Sequence, residues 1–314
     1  MGMTIGIDLG GTKIAGGVVD EGGSILAQAR RPTPKRDAAA TVVAIKDVVR
    51  ELAALHPVDS IGIGAAGFID EKRSRVLFAP NLGWVDEPLG DHVEGLTGLP
   101  VVVENDALAA AWGEFRFGAG RGRANLVLVT VGTGIGGGVI VDGRPLRGAY
   151  GVGSEIGHLQ MVPEGLVCGC GLLGCWEQYA SGTALVRTAR QIAGRRRLEA
   201  TLLLGLGDGT PEGIEGSHIT VAARQGDPVA VAAFDEVGEW LGQGMADLAA
   251  VLDPGCFVLG GGVSEAGDLL LVPARASFLE HLTGRERRPI AEVVLASLGN
   301  EAGIVGAADL ARTD

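Results

Sequence analysis

The chain of 314 residues lacks what membrane insertion, nucleic-acid binding and disulfide scaffolding each require. No stretch approaches the roughly 18 continuous apolar residues of a spanning helix, so no membrane span is expected. No charged leader precedes an apolar run at Met1-Gly2-Met3-Thr4. A signal peptide is therefore not expected, and a cytoplasmic location is. Basic residues are outnumbered, 26 Lys and Arg against 38 Asp and Glu, and the net charge is −12. The only short basic clusters, Arg195-Arg196-Arg197 and Arg285-Glu286-Arg287-Arg288, read as solvated surface. That excludes nucleic-acid binding through a broad basic face. Four cysteines are too few for a disulfide framework.

A hydrophobic content of 46% suffices for a sizeable core in one large or two modest domains. The 53 glycines are neither periodic nor in a low-complexity tract. They gather at the ends of β-like runs, where backbone must turn tightly or approach a ligand.

Thr4–Leu9 reads as a buried strand, Gly10-Gly11-Thr12-Lys13 as a turn, and Ile14–Asp20 as a second strand. The turn is too short to open a helix, so the unit is a β-hairpin and not a Walker or Rossmann loop. Its glycine N–H groups and the Thr12 hydroxyl suit an anion, and Asp8 at the strand end suits a divalent cation held through water. A plain glycine-rich hairpin explains the same residues. The pattern recurs in the second half. With an offset of 121 residues, Gly11, Thr12, Ile14, Gly16, Gly17 and Val18 meet identical residues at 132, 133, 135, 137, 138 and 139. Such an internal repeat suggests two related lobes, each offering a Gly-Thr turn to one phosphate chain. Val129 stands where Asp8 would fall, so the hairpin itself does not demand the aspartate.

The apolar spacing at 42, 45, 49, 52 and 55 predicts a helix over Asp37–Leu55, and Ser60–Gly64 reads as a strand opening into a loop over 65–70. Asn81-Leu82-Gly83-Trp84 follows Pro80 in an irregular stretch. Asn81 could bond a sugar hydroxyl or simply occupy a turn beside a packed Trp. The run Leu99–Val103 ends in Glu104-Asn105-Asp106, and an Ala-rich helix follows to about Phe117. A carboxylate beyond a strand's carboxyl end can take a proton from a substrate hydroxyl. Asn and Asp are equally favoured there as helix caps. Gly118–Arg123 reads as a linker.

His158, Cys168, Cys170 and Cys175 supply an imidazole and three thiolates, the donor set of a closed tetrahedral zinc shell. With no open position, such a metal is structural. Glu155 and Glu177 bracket the knuckle and would offer rigid acceptors to a polyol. In the last third, helices are expected over Leu185–Leu206, Ile219–Ala223 and Val229–Leu252, strands over Cys256–Leu259 and Val293–Ala296, and a closing helix over Ala302–Ala311 docked on the first lobe. Gly260-Gly261-Gly262 after a strand permits flat contact with a planar ring such as adenine.

Taken together, Asp8-Leu9-Gly10-Gly11-Thr12, Glu104-Asn105-Asp106, Gly132–Gly138, Glu155-Ile156-Gly157-His158, the cysteine knuckle with Trp176-Glu177, and Gly260–Gly262 resemble the ROK family of sugar kinases, essentially end to end. The resemblance implies an α/β, actin-like ATPase (ribonuclease H-like) two-lobed fold with a cleft. The expected small lobe is 1–117 plus about 300–314, and the large lobe 118–299. It implies ATP-dependent phosphorylation of a hexose, glucose first, at its 6-hydroxyl with Mg²⁺. Position by position, Asp106 is the base, and Asn105, Glu155 and Glu177 bind sugar hydroxyls. His158 binds zinc beside the sugar, Asp8 assists the metal–phosphate, and Asn81 matches a sugar-contacting loop. Gly10, Gly11, Thr12, Lys13, Thr133 and Gly134 hold phosphates, and Gly260, Gly261 and Gly262 meet the nucleotide. Expected ligands are ATP, Mg²⁺, a structural Zn²⁺ and glucose, with a dimer or tetramer of this chain and neither nucleic acid nor membrane as partner. A kinase for N-acetylmannosamine, N-acetylglucosamine or fructose, and a non-catalytic sugar sensor, remain open.

Overall fold

The computed structural model describes residues 2–34 and 36–313. In chain order the elements begin with β1 (Met3–Leu9), β2 (Lys13–Val19), β3 (Ile25–Pro32), α1 (Ala38–Ala53), β4 (Val58–Ala65), β5 (Phe68–Ile69), β6 (Val76–Ala79), β7 (Trp84–Glu87), α2 (Leu89–Thr97), β8 (Val101–Asn105) and α3 (Asp106–Phe117). They continue through β9 (Leu126–Val131), β10 (Ile135–Val141), β11 (Arg144–Pro145), α4 (Glu177–Ala180), α5 (Gly182–Arg195), α6 (Thr201–Leu206), α7 (Gly216–Arg224) and α8 (Pro228–Leu252). The chain ends with β12 (Cys256–Gly260), α9 (Asp268–His281), β13 (Glu292–Leu295) and α10 (Ala302–Thr313). No helix among the described residues is long and apolar enough to cross a membrane.

The internal repeat extends well beyond the hairpins. One sheet runs β3-β2-β1-β4-β8 and the other β11-β10-β9-β12-β13, the same order of hairpin and following strands. The identities noted in the sequence lie in the Gly-Thr turns and the strands that follow them, β2 and β10. The chain divides into two compact units, residues 1–128, 137–154 and 296–314, and residues 129–136 and 155–295.

In the first unit, β1 pairs antiparallel with β2 and parallel with β4, which pairs parallel with β8. Ile5, Ile7, Ile61 and Ile63 are fully buried in its core, with Ile45, Val48 and Leu52 of α1. Asp37 caps α1, its Oδ1 accepting the Ala40 N–H at 2.9 Å. α10 returns to this sheet, as the sequence suggests, and approaches it closely. A Cβ on Gly6 would stand 1.9 Å from the Ile304 carbonyl oxygen, and one on Gly62 1.8 Å from that of Ala307. These glycines lie inside strands, so part of the glycine excess serves helix–sheet contact and not turns. The buried Asp309 carboxylate accepts the Trp112 Nε1–H at 2.8 Å and pairs with Arg312 at 3.0 Å, tying α10 to α3.

Several elements differ from the sequence expectation. β5, β6 and β7 form a small antiparallel sheet where a loop and an irregular stretch are expected. Its strands of two to four residues are too short to show a period. The helix expected over Leu185–Leu206 breaks after Arg195 and resumes at Thr201. α9 goes unanticipated because Pro273 lies inside it. That proline packs against Gly238 of α8, where a Cβ would stand 2.7 Å from the ring.

Candidate active site

Parallel register sets the first half of the site. Leu9, Ala65 and Asn105 lie level at the carboxyl ends of β1, β4 and β8. The Gly10–Lys13 turn and the β8–α3 junction therefore start from the same sheet edge. The turn is closed by the Gly10 N–H donating to the Lys13 carbonyl at 3.0 Å, and Thr12 and Lys13 are exposed. Asn81 is exposed in the β6–β7 turn with the buried Trp84 behind it. It sits against the Gly10–Lys13 turn: a Cβ on Gly11 would stand 3.5 Å from the Asn81 Cβ.

At the junction the capping role falls to Asn105 and not to Asp106. Asn105 is the N-cap of α3, its Oδ1 accepting the Leu108 N–H at 3.0 Å, while its Nδ2 donates to the Gly67 carbonyl at 3.2 Å. Asp106 is the first helical residue, and its Oδ1 accepts the Ala107 N–H at 2.9 Å. Burial pushes the Asp106 carboxyl above the ordinary range, and the N–H groups of Ala107 and of Asp106 itself pull part of the way back. The Asp8 carboxyl is pushed up to about 6, first by burial, then by the Asp106 charge, with Lys13 opposing. Two carboxylates thus share one poorly solvated region of this unit.

The second unit carries the other candidates. The Gly132–Gly134 turn is closed by the Gly132 N–H on the Gly134 carbonyl at 3.0 Å. It is braced from α5, where the Gly182 N–H donates to the Gly132 carbonyl at 2.7 Å and Thr183 Oγ1 to the Thr133 carbonyl at 2.7 Å. Gly261, with φ +82°, packs on the Val131 backbone. Thr133 and Gly262 line one cavity of about 1040 Å³, whose wall includes Thr183, Arg187, Arg190 and Arg224. Gly134, Gly260 and Gly261 are not among its lining residues. The arginines lay unassigned in the sequence, although a basic middle to α5 is visible there. Each is fixed by a carbonyl: Arg187 by Gln178, Arg190 by Ile214 at 2.8 Å and Arg224 by Glu265 at 3.0 Å.

The His and Cys cluster assembles in the same unit. Cys168 Sγ stands 3.6 Å from His158 Nδ1, Cys170 Sγ stands 3.6 Å from Cys175 Sγ, and all four donors lie within 4.8 Å of one another. Tetrahedral bonds of about 2.3 Å to sulfur and 2.0–2.1 Å to nitrogen put neighbouring donors roughly 3.6–3.8 Å apart. The donor set and spacing fit zinc. Gly174 (φ +74°) lets the knuckle close, since a Cβ there would stand 1.7 Å from the Val162 carbonyl oxygen. Glu177 follows the buried Trp176, whose Nε1–H donates to the Trp240 carbonyl at 2.8 Å. Its Oε1 lies 3.0 Å from Cys168 Sγ, and its Oε2 is 2.4 Å from where a Gly134 Cβ would be. Glu177 therefore reaches from the knuckle to the Gly132–Gly134 turn. Glu155 is half-buried at the start of the 156–158 turn, where its carbonyl accepts the His158 N–H at 3.1 Å.

Two matched sheets of this order, each with a phosphate-type hairpin, define a mixed α/β protein of the actin-like ATPase fold. Residues 4–314 match the ROK family, and the chain belongs to that family. A glucokinase of Streptomyces coelicolor is 56% identical over 312 residues, covering 99% of this chain and 98% of the relative. A glucokinase of Thermotoga maritima is 38% identical over 310 residues, covering 98% and 96%. The crystal structure of a ROK family glucokinase from Streptomyces griseus in complex with glucose and AMPPNP is 57% identical. It aligns over 100% of both chains with a TM-score of 0.91.

The raised Asp8 carboxyl carries a pH signature. Between the ordinary carboxylate range and about 6, the folded chain keeps a proton that the unfolded chain has released. Stability of the ligand-free protein therefore falls as pH rises through that window, by on the order of 2 kcal/mol from this group. Asp8→Asn is expected to flatten this dependence and to be the more stable protein at pH 7.5 in urea unfolding. An unaltered pH profile in that variant would contradict the assignment.

Proposed function

We propose that the chain is an ATP-dependent glucokinase that transfers the γ-phosphoryl group to the 6-hydroxyl of glucose, with Asp106 as general base. The observation that carries this reading is the full-length likeness to the Streptomyces griseus glucokinase in complex with glucose and AMPPNP. Phosphoryl transfer asks the protein for in-line positioning, charge neutralisation and a base for the attacking hydroxyl.

In this reading Asp106 Oδ1 is held by the Ala107 N–H, which fixes the side chain and leaves Oδ2 to take the hydroxyl proton as the new O–P bond forms. A carboxyl raised by burial is a stronger base than one in water. Asn105, locked as a cap, retains one Nδ2 hydrogen for a sugar hydroxyl, and Asn81, Glu155, His158 and Glu177 supply further sugar contacts. The turns with Gly10, Gly11, Thr12 and Lys13 and with Thr133 and Gly134 take the phosphates. Gly260, Gly261 and Gly262 meet the adenosine end, with the arginine-lined cavity beside Gly262 as its seat. Asp8 is the hard oxygen donor for Mg²⁺, which when bound neutralises charge on the transferring phosphates. His158, Cys168, Cys170 and Cys175 hold a structural Zn²⁺ that stiffens the segment carrying Glu177.

Replacing Asp106 by Asn is expected to lower kcat by about 10²–10⁴ while glucose still binds in calorimetry. Turnover near wild type would refute the base. Metal analysis is expected to find one zinc per His/Cys cluster. Its removal by a chelator frees the Glu177 segment and costs at least one carboxylate–hydroxyl bond of about 1.5–3 kcal/mol, raising the glucose Kd about tenfold or more. Unchanged glucose binding by the zinc-free protein would show that the knuckle plays no part in holding the sugar.

A further inference from the structure

Among the buried carboxylates that the proposed reaction leaves unused, one adjoins Asn105 and Asp106. Glu104, at the end of β8, is 1% exposed. Its Oε1 accepts the N–H of Asn105 at 2.9 Å. Its Oε2 lies 2.8 Å from Arg147 Nε and 3.3 Å from Arg73 Nε. Burial pushes the Glu104 carboxyl up, and the charges of Arg147 and Arg73 pull it back.

We propose that Glu104, clasped by Arg73 and Arg147, is a positioning residue that sets the β8 end so that Asn105 and Asp106 meet the sugar. This rests on the reading of Asn105 and Asp106 given above. Three segments converge on the one carboxylate, all within the first unit. The β8 end hangs from it through the Asn105 N–H. The 70–75 turn is attached through Arg73, whose carbonyl also accepts the Val103 N–H at 2.8 Å. The segment after β11 is attached through Arg147, which forks onto the Asp70 carbonyl at 2.7 Å and the Glu71 carbonyl at 2.9 Å. Arg73 sits in the left-handed region at φ 59°, a conformation disfavoured for a non-glycine residue. Within the turn the Arg73 N–H reaches the Asp70 carbonyl at 3.2 Å, and Asp70 Oδ1 accepts the Ser74 and Arg75 N–H groups, each at 2.9 Å. The same hairpin supplies the Gly67 carbonyl that receives Asn105 Nδ2.

Stability does not account for this choice of residues. Apolar side chains of similar volume hold a core at least as well as a buried ion cluster. What the guanidinium fork adds is direction: a planar donor set fixes the carboxylate and two backbone carbonyls at once. The Glu104 carboxylate in turn fixes the Asn105 backbone, and small misplacements at such a site are costly in rate and affinity.

The test measures glucose binding by calorimetry without ATP, and steady-state KM for both substrates, in Glu104→Gln and Arg147→Met, with Tm recorded for each. The second variant leaves Glu104 paired with Arg73 and so decides the matter if the first does not fold. Both variants are expected to raise glucose Kd and KM about tenfold with ATP KM within about twofold of wild type. A merely structural role would lower Tm and the active fraction, hence apparent kcat, with both KM values unchanged. That result, or a rise shared equally by ATP, overturns the proposal. Asp106→Asn reads the base separately, since it should lose turnover and keep glucose binding, whereas the Glu104 and Arg147 variants should weaken glucose binding.

Discussion

The register of three parallel strands is the constraint on which the first unit's chemistry depends. Because β1, β4 and β8 end level, Asp8, the Gly10–Lys13 turn, Asn105 and Asp106 issue from one sheet edge without any long-range loop. A slip of one residue would send each of these side chains to the opposite face. The strands hold that register because glycines within them admit α10 at backbone contact, and because Asp309 binds α10 to the same α3 that begins with Asp106.

Three carboxylates near that edge have three different settings. Asp8 is buried beside the Asp106 charge, and Lys13 does not offset the two, so its carboxyl is pushed up to about 6. Asp106 is buried but held by its own helix start. Glu104 is paired with two arginines and anchors backbone. In the proposed reading these three carboxylates take three roles, separated by environment as carboxylate pairs in acid–base sites commonly are.

The sequence revealed what is encoded locally. The Gly-Thr hairpins, the strand-to-helix junction at Asn105 and the Cys168–Cys175 knuckle each lie within a few consecutive residues, and turn chemistry or ligand chemistry restricts them. The matched sheets were legible only as a hairpin repeat, since β4 with β8 and β12 with β13 keep topology without identity. The Arg73–Glu104–Arg147 clasp was invisible, because its members are joined only by folding: Glu104 stood out only as part of Glu104-Asn105-Asp106, and no local motif marks Arg73 or Arg147. The cavity arginines were hidden in the same way: Arg187 and Arg190 lie on α5 and Arg224 on α7, so only packing brings them to one wall. Gly6 and Gly62 fall inside expected strands, but the reason for glycine there is legible only once the helix over them is known.

The central claim is that this chain moves a phosphoryl group from ATP to the 6-hydroxyl of glucose. A ³¹P NMR time course of the purified chain with glucose, ATP and Mg²⁺ tests it most directly. The account predicts a growing phosphomonoester resonance of glucose 6-phosphate, matched by loss of the ATP γ-resonance and appearance of ADP. An unchanged ATP spectrum, or γ-phosphate appearing only as inorganic phosphate, would contradict it.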